Sequence, residues 1–258
     1  MLALRPPTLF NRMQSAWDIT NSVIGPNGAS VGNSTFAGPV KFGNGRASNY
    51  PGGGSQSSRV NFACTPAMFT PTEGCIETWV YADYVPLGGG SNFGVYGFFN
   101  MPYIQDTPCE LFWLGYYAGT PSYFGLSVDF GGTRQSIAVA SDAIVGAVGT
   151  VGTPQTPTTK LFHIAGVWKS TGIAGSGKTM RIYINGVPYD TLQSGNNTGY
   201  TWGNTSPTIT IPCNCGQDSG WSTRRYLQQN LKLYNYAKIN FEDINNERDS
   251  MLDRFMII

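Results

Sequence analysis

The chain has 258 residues, of which 12% are charged and 13% aromatic, with 33 glycines, 16 prolines and a formal net charge of +1. Basic residues are scattered apart from the pair Arg224-Arg225, which gives no case for a nucleic-acid-binding surface, and no apolar stretch is long enough to span a membrane as a helix. Abundant Gly and Pro with little charge favour many short strands and turns over helices.

In chain order, residues 1–16 read as an extended N-terminal arm. Pro6-Pro7 forbids an early helix. The opening apolar run is broken by Arg5 before a signal-peptide core can form, so synthesis in a cytoplasm is expected. From Trp17 the chain alternates strand candidates with Gly/Ser/Asn/Pro loops: 40–42, 58–63, 74–84, 93–99, 109–117, 124–130, 135–140, 161–169, 180–185, 208–211 and 227–234. No linker, composition shift or repeat divides this region, and two packed antiparallel sheets would bury its pattern. The core is expected to centre on Ile76, Trp79, Val80, Ile164, Val167, Ile182, Ile184, Leu231 and Leu233. The sandwich is expected over 17–245. Asn240 then caps a short helix with Glu242 and Asp243 in its first turn. Residues 246–258 form a helical apolar tail whose last side chains, Phe255, Met256, Ile257 and Ile258, are expected to dock on a neighbour.

Two motifs invite chemistry and lose it in context. Gly172 to Thr179 reads GIAGSGKT, the spacing of a phosphate-binding loop. Such a loop must open a helix. Here Met180, Ile182 and Ile184 alternate with Arg181, Tyr183 and Asn185, which is a strand, and Asn185-Gly186 supplies a turn that tolerates positive φ. The segment is therefore expected to be a hairpin tip. Cys213-Asn214-Cys215 suggests a metal, but with five cysteines and one histidine a four-ligand zinc site has too few partners. The odd cysteine count argues against a closed disulfide framework, and buried thiols are expected.

Several segments together resemble the laminin G-like, concanavalin A-like jelly-roll family. Gly74-Cys75-Ile76-Glu77-Thr78-Trp79-Val80 is similar to its early core strand, small-x-I-E-x-W-V. His163-Ile164-Ala165-Gly166-Val167-Trp168 resembles its W-x-H-V-A strand, with Leu161 where the family has Trp. Met180 to Val187 resembles the L-Y-V-N-G strand and turn, Leu231 to Ala237 the V-R-I-Y-N-R-A strand, Glu242-Asp243-Ile244 the closing E-E-I, and Val40 to Asn44 the opening K-F-G-N. The resemblance implies an all-β, two-sheet antiparallel jelly-roll sandwich. It also implies that His163 is a hydrogen-bonded core histidine. Many relatives carry calcium, but Gln229 and Asn230 replace two acids of the last strand, and Ca²⁺ prefers carboxylates. No metal ligand is assigned and no cofactor is expected.

The same jelly roll carries glycosidases and lyases, so the fold does not decide the activity. A retaining glycosidase needs two carboxylates about 5–5.5 Å apart. No E-x-D-x-E strand occurs, and Glu242, Asp243, Glu247, Asp249 and Asp253 read as a solvated helix face. A nucleophilic Ser or Cys would have only His163 as base. Binding is the better class. Tyr200, Trp202, Asn204 and Trp221 stand in polar, Gly-rich loops suited to sugar C–H faces and hydroxyls. The sequence therefore reads as a non-catalytic, lectin-like structural or surface-decorating protein of a virus particle, a bacteriophage. Its partners would be other virion proteins or further copies of itself, and a polysaccharide. The alternative is a secreted, extracellular microbial carbohydrate-binding module; a polysaccharide hydrolase or lyase comes third.

Overall fold

The computed structural model describes residues 5–31, 35–47, 59–64, 68, 72–82, 94–102, 110–118, 123–129, 134–140, 161–176, 178–189, 211–215, 217–218 and 226–245. In order these form β1 (Leu9–Asn11), the short helix α1 (Ala16–Thr20), β2 (Gly28–Val31), β3 (Thr35–Val40), β4 (Gly43–Ala47), β5 (Arg59–Cys64), β6 (Glu73–Ala82), β7 (Gly94–Pro102), β8 (Glu110–Ala118), β9 (Tyr123–Asp129), β10 (Arg134–Ala140), β11 (Leu161–Lys169), β12 (Met180–Ile184), β13 (Val187–Tyr189), β14 (Ile211–Cys215), β15 (Gln217–Asp218), β16 (Tyr226–Tyr234) and a 3₁₀ turn (Glu242–Asn245).

The strands make an all-β, two-sheet antiparallel sandwich. The first sheet runs β13-β12-β11-β6-β16-β4-β3, and the second β10-β9-β8-β7-β14-β5-β2, with β15 pairing β7. Period-two alternation sends Ile76 and Val80 of β6, Ile164 and Trp168 of β11, and Leu231 and Leu233 of β16 inward, where they meet Val60, Phe62, Phe99, Leu126 and Val139 of the second sheet. Phe124 and Phe162 touch edge to face across the gap, 5.2 Å between centroids. Gly74 lies opposite Trp168 in the β6–β11 ladder, and a Cβ there would sit inside the indole ring. That is the physical content of the small residue before Cys75.

Two expectations are corrected. Residues 9–11, expected in an arm outside the sandwich, are β1 and pair with Leu231, Lys232 and Leu233 of β16. Leu9 is fully buried, so its apolar side chain belongs to the core. Of the strand expected at 40–42 only Val40 is strand, as the end of β3; Lys41 and Phe42 are the turn into β4, where Gly43 has φ 119 and Phe42 N–H donates to the Gln229 side chain at 2.9 Å. Trp79 and Val167, expected in the core, are buried, in a second apolar cluster on the outer face of the first sheet. The chain turns helical after Asn240 as expected, as a 3₁₀ turn over Glu242–Asn245 with both acids in it, Asn240 Oδ1 accepting from Glu242 N–H at 2.8 Å. The tail at 246–258 lies outside the described residues.

β16 organises the first sheet. It pairs β6 along one side, while on the other it pairs β4 at Leu227 and Gln228 and β1 from Leu231 onward. The change of partner falls at Asn230, which has φ 55 and sits in an irregularity of the β6 ladder. Its N–H donates to Arg12 C=O at 2.9 Å.

Candidate functional site

The outer face of the first sheet is not open to solvent. Cys75, Trp79, Ala165, Val167, Tyr183, Leu227 and Tyr234 form a second apolar cluster there, covered by Phe241 and Ile244 from the segment after β16 and by Ile173 from the β11–β12 hairpin. Buried in this layer is Glu77, 1% exposed. β6 places it between Cys75 and Trp79 on the outward face.

A carboxylate removed from water must be paired. Lys238 Nζ lies 2.9 Å from Glu77 Oε2 and 3.2 Å from Oε1. Tyr234 O–H donates to Oε1 at 2.9 Å, Lys232 Nζ is 3.4 Å from Oε1, and His163 Nε2 is 3.7 Å from Oε2. Lys238 also donates to Asp243 Oδ2 at 3.0 Å, and its ammonium lies over the rings of Tyr234 and Phe241. The two lysines and two carboxylates balance in charge. Lys238 thus ties the covering segment to the sheet through one buried ion pair.

The electrostatics follow from these distances. Burial by itself raises the Glu77 carboxyl, but the charges of Lys238 and Lys232 outweigh it and bring its pKa down to about 2. Burial lowers Lys238, while Glu77 and Asp243 raise it further, so it stays charged. Burial, aided by the lysines and opposed by Glu77, pulls His163 down to about 4. Burial and Glu77 push Tyr234 and the free thiol of Cys75 up. At neutral pH Glu77 is therefore ionised, His163 neutral, and Tyr234 protonated. Ionised, Glu77 holds no proton to deliver as a general acid, and His163 is 2% exposed with Nδ1 unpartnered among the described residues, packed between Trp79 at 5.4 Å and Phe241 at 5.7 Å. The arrangement makes a charge-neutral clamp.

The other singled-out residues divide as follows. Tyr200, Trp202, Asn204, Trp221 and the apolar Phe255, Met256, Ile257 and Ile258 lie outside the described residues. The GIAGSGKT segment joins β11 to β12, two antiparallel strands. Its N–H groups at Gly172, Ile173, Ser176 and Lys178 donate to Lys169 O, Lys178 O, Ile173 O and Ser176 Oγ. Those donors are taken by the loop itself, which a phosphate cradle does not allow. At the positions where the resemblance places calcium acids, Gln229 accepts from Phe42 N–H and donates to Asn44 C=O at 2.7 Å. Both ends of that amide serve the β3–β4 turn, and neither position offers a carboxylate. These residues do not fit a calcium site.

One residue not singled out from the sequence is Trp17 on α1. It is 66% exposed, ahead of Val187 at 52% and Ile239 at 45% among the described residues. In the sequence Trp17 carries no distinguishing pattern, because helix α1 is only five residues long and shows no periodicity.

No protein-family model matches this chain, and no curated protein matches it in sequence. Solved structures with the same fold do match. A botulinum neurotoxin serotype D/C binding domain aligns over 93% of this chain and 50% of its own, at TM-score 0.56 and 14% identity. A structure of botulinum neurotoxin type C, whose cell entry depends on interaction with two ganglioside molecules, aligns over 92% and 50% at TM-score 0.55 and 14% identity. A Trypanosoma rangeli sialidase in complex with the inhibitor DANA aligns over 89% of this chain and 30% of its own at TM-score 0.52 and 14% identity. The chain spans about half the length of the binding domains it matches.

Proposed function

We propose that this protein is a non-catalytic, lectin-like sandwich of the laminin G-like, concanavalin A-like type that binds glycans on a host or matrix. The observation that carries the non-catalytic part is the Glu77 clamp. The buried acid is ionised, enclosed by Lys238, Lys232 and Tyr234, and sealed beneath Phe241 and Ile244. The likeness to toxin binding domains, one of them from a ganglioside-dependent toxin, supports glycans as the ligand class. The sialidase likeness is one of fold.

The setting we propose is a virus particle, a bacteriophage, with the chain made in a host cytoplasm as a structural or surface-decorating component. The apolar run Phe255, Met256, Ile257 and Ile258 would dock on other virion proteins or on further copies of the chain. A glycan array and a polysaccharide panel test the binding reading together. Retention without product is expected, and release of saccharide product would overturn the non-catalytic assignment. Mass spectrometry of purified particles tests the setting, and absence of the chain from every particle fraction would reject it.

A further inference from the structure

Helix α1 holds a large apolar ring in water on a stiff support. A five-residue helix has almost no stability of its own. This one is fixed from several sides. Ser15 Oγ caps it by accepting from Asp18 N–H at 3.1 Å. The buried Asn11 side chain shares its amide hydrogens among Asp18 C=O at 2.6 Å, Ile19 C=O at 3.2 Å and Ser22 Oγ at 2.9 Å, while its Oδ1 accepts from Met13 N–H at 3.0 Å. Ile19 and Met13 are buried in the inter-sheet core. All this order presents Trp17 outward.

What surrounds the ring decides its partner. A tryptophan that anchors a protein interface sits among other apolar side chains. Here the exposed neighbours along the segment are Ala16, Thr20 and Asn27, with Asn21 half-buried beside them in sequence. Asn21 Nδ2 donates to Trp17 C=O at 2.8 Å and to Thr20 Oγ1 at 3.1 Å. Both its hydrogens are thereby directed into the helix, and its Oδ1 remains as an acceptor without a partner among the described residues. Asn27 is the converse: its Oδ1 accepts from Ser22 N–H at 3.0 Å, leaving its amide hydrogens as donors. A single flat ring with the amide of Asn21 one helical turn on, hydrogen-bonded to the Trp17 carbonyl, matches a pyranose, whose C–H face stacks on an aromatic while its hydroxyls hydrogen-bond at the rim. The covered outer face of the first sheet leaves that face closed to such a ligand.

We propose that Trp17 is a stacking platform for a pyranose unit of a glycan, with Asn21 Oδ1 accepting from one of its hydroxyls. This rests on the glycan-binding reading above and gives it a location. The test begins with wild-type protein on a glycan array and titrates a retained glycan by calorimetry against Trp17→Ala and Asn21→Ala. Trp17→Ala should weaken binding about tenfold or more, and Asn21→Ala about threefold or more. Both should move the melting temperature by less than about 2 °C, since neither truncates the core. If the wild type and both variants bind equally, the platform is wrong and the glycan-binding reading stands. If the wild type retains no glycan, both fall. If one variant fails to fold, the other decides, and unchanged affinity in it overturns the site. Loss of self-association in Trp17→Ala with glycan affinity unchanged would assign the ring to a second copy of the chain instead.

Discussion

His163 is the only histidine in the chain, so its titration can be read without interference. In the unfolded chain its pKa is near 6.5, and in the fold burial against Trp79 and Phe241 and the charges of Lys238 and Lys232 hold it down to about 4 despite Glu77. A folded value below the unfolded one means that the unfolded chain takes up the proton first. The stability His163 contributes is therefore complete above pH 6.5 and is lost as the pH falls from there toward 4. At pH 5 the unfolded imidazole is almost fully protonated and the folded one almost wholly neutral, which at about 1.4 kcal/mol per pH unit gives a loss of about 2 kcal/mol relative to pH 7. Glu77, held down to about 2, changes nothing in that window, because its contribution is lost only between about 4.5 and 2. Urea midpoints at pH 7 and 5 measure the loss, and the single imidazole resonance in an NMR titration gives the folded pKa directly. His163→Gln should flatten the slope. A folded pKa near 6.5, or a change under about 0.5 kcal/mol between the two pH values, would refute the argument from burial.

Other outcomes follow from the same structure. Lys238→Met removes the main partner of Glu77 and should cost about 3–5 kcal/mol in urea unfolding, with Glu77→Gln added to it restoring more than half, because the uncompensated charge is then gone. Gly74→Ala must displace the Trp168 indole and should cost about 1–3 kcal/mol, read from the thermal midpoint and the near-ultraviolet dichroism of Trp168. Gln229→Glu keeps the acceptor for Phe42 N–H but strips the donor from Asn44 C=O; a loss of about 1–3 kcal/mol is expected. Calcium added to the wild type should leave its melting unchanged, whereas a site saturated tenfold would add about 1.4 kcal/mol, reversed by chelator.

Most strands were legible in the sequence because each obeys one strong rule. β12 alternates, and its Asn185-Gly186 turn has φ of 50 and 81, the positive pair expected of a two-residue hairpin. β11 shows a different signal, an apolar run without alternation, because both of its faces are covered. What escaped were elements stabilised by contacts distant in sequence. β1 is three residues long and includes a buried Asn11, which reads as a loop residue; its place is set by β16, more than 200 positions away. Lys41 and Phe42 read as strand in the sequence because the Gln229 amide that fixes their turn lies far down the chain. Glu77 is visible within a family-like strand, yet its role is not, since Lys238, itself bonded to Asp243, reaches it only after the chain folds back over the sheet.

That fold-back gives the buried acid a structural task. An apolar outer face on a sheet needs a cover, and the residues after β16 supply Phe241 and Ile244 for it. Apolar contacts alone would let a short segment slide along the sheet, since they have no direction. A carboxylate at Glu77 and an ammonium at Lys238 have direction: with Tyr234 and Asp243 they accept one register of the cover and leave a buried charge unpaired in any other. The pair therefore acts chiefly on uniqueness. A Glu77→Leu/Lys238→Leu double variant should unfold in urea at a midpoint close to the wild type, while amide exchange across residues 236–245 accelerates because the cover samples several registers. Exchange as slow as in the wild type would show that packing alone fixes the cover, and that the charges add no specificity.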